Sequence, residues 1–253
     1  SDTVNLLLNL CPAGTFTMGS PEDELGRWDD ETQHQVTLTK DFYIGKYEVT
    51  QAQYEALMGT NPSYFTGDNL PVGKVTWNEA VDFCAKLTEK EKAAGRLPAG
   101  YVYSLPTEAQ WEYACRAGTT TAFNNGTNIP TEEQIEDVPC PNLDEVGWYK
   151  YNSGDKTHAV GLKKPNAWGL YDMHGNIGEW CLDWYDENYY SVSPVTDPTG
   201  PASGSKHVTR GGGWDDDASF CRSGLRNYSP PDYVYNDSGF RVALIPKELL
   251  PKE

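Results

Sequence analysis

Apolar and polar positions alternate with a period of two in four short stretches of the chain, the pattern of half-buried strands. These are Gly14 to Met18, Gln35 to Leu38, Phe42 to Ile44 and Phe240 to Leu244, each bounded by Gly, Pro or charged turn residues. Three further stretches switch to helical spacing. Each opens on a Thr with Gln or Glu three residues later: Thr50 with Gln53, Thr76 with Glu79, Thr107 with Gln110. In such a pair the Thr oxygen accepts from the third helical amide and the longer side chain reaches back to the cap amide, so donors that a helix start leaves open are satisfied. Tyr54, Leu57 and Met58 then share a face of the first helix, and Trp77, Val81, Cys84 and Leu87 a face of the second. Trp111, Ala114 and Cys115 mark the third, which Gly118 should end. Between 118 and 166, and again between 184 and 206, periodicity fails and Thr, Asn, Ser, Pro and Gly recur. With no internal repeat and no linker-like break, the pattern predicts one α+β domain over residues 1–253, with its core at about 12–244. Aromatic residues in the loops would supply local cores.

Composition removes several classes of function. Mean hydropathy is −0.63, and no apolar run approaches the ~18 residues that a membrane-spanning helix needs. Lys and Arg total 20 against 37 Asp and Glu, a net charge of −17 that repels a phosphate backbone, so nucleic acid is not an expected partner. Eight Trp, 16 Tyr and 7 Phe carry more buriable area than a disordered chain needs. The cysteines Cys11, Cys84, Cys115, Cys140, Cys181 and Cys221 form no CxxC, which speaks against a structural zinc site or a thioredoxin-type pair. The chain opens Ser1-Asp2-Thr3 with no secretion leader, so export is not legible there.

Seven motifs, in order, resemble the formylglycine-generating-enzyme family. They are PAGTFTMGS (Pro12 to Ser20), FYIGKYEVTQAQY (Phe42 to Tyr54), PVGKVTWNEAVDFC (Pro71 to Cys84), LPTEAQWEYACRAG (Leu105 to Gly118), NAWGLYDMHGNIGEW (Asn166 to Trp180), RGGGW (Arg210 to Trp214) and GFRVA (Gly239 to Ala243). The resemblance spans nearly the whole chain and implies an irregular α+β variant of the C-type-lectin fold. That family holds oxidases, iron-dependent sulfoxide synthases, other maturation enzymes and binding proteins, so the fold leaves function to the site. In its oxidases the resemblance implies two cysteine thiolates that bind copper(I) soon after the RGGGW element. Here that stretch reads Trp214-Asp215-Asp216-Asp217-Ala218-Ser219-Phe220-Cys221, with acids in place of thiols. The resemblance further implies a disulfide between Cys115 and Cys221. Val242 stands where the family's partner of Cys84 would be, which makes Cys84 a buried free thiol and leaves Cys11, Cys140 and Cys181 unassigned. It also implies a structural Ca²⁺ held by the side chains of Asp172 and Glu179 and the carbonyls of Gly175 and Ile177. The residues agree, since two hard oxygen side chains seven apart bracket a glycine turn. His34, His158, His174 and His207 offer no spacing for an iron triad and read as surface or hydrogen-bonded loop residues. A GxSxG nucleophile elbow is missing as well.

The stretch from Trp214 to Ser238 looks like a display surface, because Tyr and Trp give rigid contact area while Ser, Asn and Gly adapt their hydrogen bonds. Lys, Glu, Gln, Met and Trp are absent from Asp215 to Ser238 although they are common elsewhere. These five are the residues that an Asn codon cannot reach by changing only its adenines. On this feature the chain resembles the variable proteins of diversity-generating retroelements, and the candidate variable window is 211–241. The expected function is a non-catalytic binding module, a monomer whose ligand is a protein or a glycan. Trp214, Asp215, Asp216, Asp217, Phe220, Leu225, Tyr228, Tyr233 and Tyr235 would line or rim its pocket. It is expected outside the cytoplasm or on the cell surface, with a lipid anchor upstream as one arrangement. A divergent oxidase or maturation enzyme using the same pocket is the alternative.

Overall fold

The computed structural model describes residues 4–132, 135 and 137–251. All three capping boxes form, and behind Thr50, Thr76 and Thr107 begin helices α1 (Gln51–Met58), α2 (Trp77–Ala93) and α3 (Glu108–Arg116). Each cap is worth ~1 kcal/mol. α1 ends on Gly59 in the left-handed conformation, whereas α3 ends one residue earlier than expected, with Ala117 rather than Gly118 as its left-handed cap. α2 buries Ala80, Phe83, Cys84 and Leu87, so the buried face is rotated from the predicted one and Trp77 and Val81 lie half-buried at its edge. α3 buries all nine of its residues and is core on every side. A short fourth helix, α4 (Pro141–Asp144), lies in the loop-rich part of the chain.

The described residues also form twelve short strands: β1 (Leu8–Cys11), β2 (Gly14–Met18), β3 (His34–Leu38), β4 (Phe42–Gly45), β5 (Tyr101–Ser104), β6 (Gly147–Trp148), β7 (His174–Gly175), β8 (Gly178–Trp184), β9 (His207–Arg210), β10 (Asn227–Ser229), β11 (Ser238–Gly239) and β12 (Ala243–Pro246). One sheet, β1-β4-β12-β5, is antiparallel throughout, with Ile44 beside both Asn9 and Ala243 and Leu244 beside Tyr103. Phe83 and Leu87 of α2 share an apolar cluster with Tyr103 and Leu244 of this sheet. The second sheet, β10-β9-β8-β11, is antiparallel except that β11 runs parallel to β8. The strand expected at Phe240 to Leu244 is split. Phe240, Arg241 and Val242 cross from the second sheet to the first and are all fully buried, and regular pairing resumes at Ala243.

Phe123, Leu143, Cys140 and Tyr149 form a third cluster beneath the irregular segment, joined by Ala218 and Cys221. Loop aromatics thus build a local core there. All six cysteines are buried and free, so the expected Cys115–Cys221 disulfide is corrected. His174 lies between the two: its Nε2 is 3.7 Å from Cys115 Sγ and its Nδ1 is 2.7 Å from the Cys221 carbonyl oxygen. Cys115 Sγ also lies 3.5 Å from Ser223 Oγ. His174 and His207 are also not loop residues, since both are buried in strands.

Candidate functional site

Three arginines fasten the chain as it leaves β9, and each is at most 1% exposed. The Arg210 guanidinium bonds Glu112 and the carbonyls of Ser223, Gly224 and Leu225. Arg222 reaches Glu24 at 2.6 Å and Glu31 at 2.6 Å, and Arg226 reaches Glu108 at 2.8 Å. Burial alone would push the Glu31 and Glu108 carboxyls up, but Arg222 for the first, and Arg226 with Arg210 for the second, hold both below their ordinary values. Gly211 and Gly212 both have positive φ, and a Cβ on Gly212 would come within 2.9 Å of the Phe220 carbonyl oxygen. The RGGG turn therefore needs glycine, and it sets the segment after it tightly against the core.

A cavity of about 220 Å³ opens where this turn meets β10 and the approach to β11. Thr209 to Gly212 belong to its lining, together with Asp216, Asp237, Tyr233 and Tyr235. The two tyrosine rings stack at 5.7 Å and are 44% and 51% exposed. Carboxylate oxygens of Asp215, Asp216 and Asp237 lie within 4.8 Å of one another, the one such set of metal-ligating side chains among the described residues. Burial, and then the neighbouring carboxylates, push Asp216 up to about 7 and Asp237 up to about 6. Asp215 is raised as well, mainly by burial. The Gly213 amide donates to Asp216 Oδ2 at 2.8 Å and opposes that shift.

Of the nine residues expected to form the site, the cavity takes Asp216, Leu225, Tyr233 and Tyr235, with Asp215 beside them in the carboxylate cluster. Leu225 is only 2% exposed and serves as floor. The others point elsewhere. Trp214 packs edge-on against Phe65 at 5.4 Å, and Phe220 against Trp28 at 5.6 Å. Asp217 turns away to Lys150 Nζ at 3.2 Å. Tyr228 lies on Tyr185 at 4.1 Å, because strand alternation sends Asn227 and Ser229 to the cavity and the residue between them to the other face. The sequence reading missed Asp237, Asn227 and Ser229. All three fall inside the 211–241 window, but only the β10 register and the β11 approach single them out.

The set expected to hold Ca²⁺ suits an ion only in part. Glu179 Oε2 accepts from Trp111 Nε1 at 2.8 Å and from Arg241 Nε at 2.6 Å, and its Oε1 accepts from Arg241 Nη2 at 2.6 Å. Its carboxylate is thus committed to the fourth buried arginine of the segment. The Gly175 carbonyl accepts from the Ile177 amide at 3.0 Å. Asp172 Oδ2 accepts from the Gly161 amide, but its Oδ1 is buried without a partner, and so is Oε2 of Glu48. Burial raises the Asp172 carboxyl to about 6; burial and the charge of Asp172 raise Glu48 well above its ordinary value. Asp172 Oδ1 and Glu48 Oε2 are the unpartnered carboxylate oxygens here, only two of the ~6–8 oxygens that Ca²⁺ takes, so an ion at this place would rest on them rather than on Glu179, which Arg241 already engages.

A mixed α+β scaffold with short sheets, long packed loops and a cavity at the end of the mixed β10-β9-β8-β11 sheet is of the C-type-lectin type. Residues 8–245 match the sulfatase-modifying factor enzyme 1-like domain, and the chain belongs to that family. It is 34% identical to the chaperone protein LppX of Paenibacillus barcinonensis, over 82% of this chain and 81% of LppX. The formylglycine-generating enzyme of Mus musculus is 28% identical over 92% of this chain and 73% of the enzyme. Among solved structures, Treponema denticola variable protein 1 superimposes with a TM-score of 0.80 and 32% identity, covering 94% of both chains. No helix among the described residues is long and apolar enough to cross a membrane.

Proposed function

We propose that this protein is a non-catalytic binding module whose ligand enters the cavity at Asp216, Asp237, Tyr233 and Tyr235. The observation that carries this reading is the chemistry of that cavity: three clustered carboxylates beside two exposed, stacked phenol rings. Aromatic area of this kind supplies binding energy, and the acids favour a basic or hydroxyl-rich partner, either a protein segment or a glycan. Burial pushes the Cys221 thiol, the one nearest in sequence, well above its ordinary value, and the Cys115 thiol up to about 12. A neutral, buried thiol is a poor nucleophile and a poor copper ligand. The likeness to Treponema denticola variable protein 1 and the residues missing from 215–238 support a diversified site in the window 211–241.

Arrays of lysine-rich peptides, neutral peptides and glycans probed with the wild-type protein and with a Tyr233→Ala/Tyr235→Ala/Asp216→Asn variant test the reading. Retention of a probe by the wild type and its loss in the folded variant is the expected result. Equal retention by both would refute the site. A divergent oxidase at the same cavity is the second reading, favoured by the likeness to the mouse enzyme. It predicts bound copper or iron and conversion of the thiol of a cysteine-containing peptide to an aldehyde, read by metal analysis and mass spectrometry.

A further inference from the structure

β8 and β9 run from the cavity just described to a second one at their opposite ends, with a volume of about 530 Å³. Trp77, Trp184, Leu182, Val81 and Leu250 give it largely apolar walls, and His207 also lines it. The imidazole of His207 is sandwiched between the two indoles, with centroids 3.7 Å away on each side and planes tilted by 7° and 25°. The residue is 1% exposed. Its Nδ1 lies 3.1 Å from the Asp183 carbonyl oxygen. A carbonyl can only accept, so Nδ1 carries the proton and Nε2 is a bare acceptor. Nε2 is buried and has no partner. Burial keeps the ring neutral, its pKa pushed down to about 4. An acceptor left in this state pays its desolvation with no bond in return, and a 180° flip of the ring would keep both stacks only by giving up the bond to Asp183.

We propose that this cavity is a second ligand site, for a small planar apolar molecule bearing one hydrogen-bond donor, of the phenol or indole class. The tryptophans cover the apolar body, and the donor satisfies His207 Nε2. The cavity volume falls within the ~300–1,000 Å³ of small-ligand sites, which pair apolar walls with a few placed polar atoms. The site stands whether or not the cavity at Tyr233 and Asp216 binds a ligand.

Indole and indene share a shape and differ by one N–H donor, so calorimetric titration of each into the intact chain isolates the role of the acceptor. Indole should bind saturably at one site, with indene at least tenfold weaker. His207→Phe keeps a ring in the stack and removes the acceptor, and should lower indole to the affinity of indene. Ala202, also in the cavity lining, is exposed. Ala202→Trp should therefore fill the cavity and weaken indole at least tenfold without lowering the melting temperature, even if His207→Phe fails to fold. Absence of saturable indole binding, equal affinity for indole and indene, or unchanged indole binding in Ala202→Trp would each overturn the proposal.

Discussion

Between Arg210 and Arg226 the C-terminal segment is fastened to the core by three guanidinium groups that water does not reach, whereas from Asn227 to Ser238 it holds no arginine and exposes Tyr233, Val234 and Tyr235. The two stretches adjoin in sequence and meet at the same cavity. The first supplies the floor, Gly211, Gly212 and Leu225, and moving it would strip buried charges of their partners at a high cost in stability. The second supplies a rim on which Tyr233, Val234 and Tyr235 face solvent rather than the core. A binding surface that can change without unfolding its scaffold needs this separation.

The largest expected effect breaks the fastened side. Arg222→Met leaves Glu24 and Glu31 buried without their cation and should cost ~3–5 kcal/mol of stability, measured by urea unfolding. On the rim, Tyr233→Ala with Tyr235→Ala should cost ~2 kcal/mol or more of binding to whichever array probe the wild type retains. The same change should move stability by only ~0.5 kcal/mol, since both side chains are exposed. A loss of stability comparable to that of Arg222→Met would erase the distinction between the two stretches.

A smaller effect is expected at the carboxylates between them. Burial first, and then the neighbouring carboxylates, raise Asp216 to about 7 and Asp237 to about 6 in the folded chain, against ~3.9 for an unfolded Asp. Over that interval the folded state holds protons that the unfolded state has released, so their contribution to stability is complete below pH ~4 and is lost as pH rises through ~7. Asp216→Asn removes the larger share of that loss, and above pH 7 it should melt ~2–4 °C higher than the wild type. A variant that melts with the same pH profile as the wild type would contradict the buried, clustered state of that carboxyl. The smallest effect concerns the cation seat. Millimolar Ca²⁺ should raise the melting temperature by ~1–3 °C in the wild type and by less in Asp172→Ala. An equal rise in both would place any bound ion elsewhere.

Much of the scaffold is legible in the sequence where the cause is local. The three Thr caps announce α1, α2 and α3 because a capping box is closed by residues three apart, with no help from the rest of the fold. β2, β3 and β4 are visible through their alternation. β8 escapes because Glu179, Trp180, Cys181 and Asp183 are all buried, which leaves no polar face to alternate with. Its Glu179 is buried with Arg241, a partner 62 positions away that no window of sequence reveals. The site divides along the same line. Composition marks 211–241 only as a candidate window; within it three consecutive acids look alike in sequence, and only the turn leading into Ala218 sends Asp217 to Lys150 while Asp216 faces the cavity. Asp237 joins them from the other end of the window, brought there by the pairing of Ser238 with Gly178.

Two libraries in the same chain test the separation of floor and rim most directly, one randomising Asn227, Ser229, Tyr233, Tyr235 and Asp237, the other randomising Arg210, Arg222, Ser223, Arg226 and Arg241. Display on cells followed by protease challenge counts the folded members of each. Most of the first library should survive and yield clones that hold probes the parent does not, while nearly all of the second is digested. Equal survival of the two, or a first library that unfolds as readily as the second, would contradict a fixed scaffold carrying a variable binding rim.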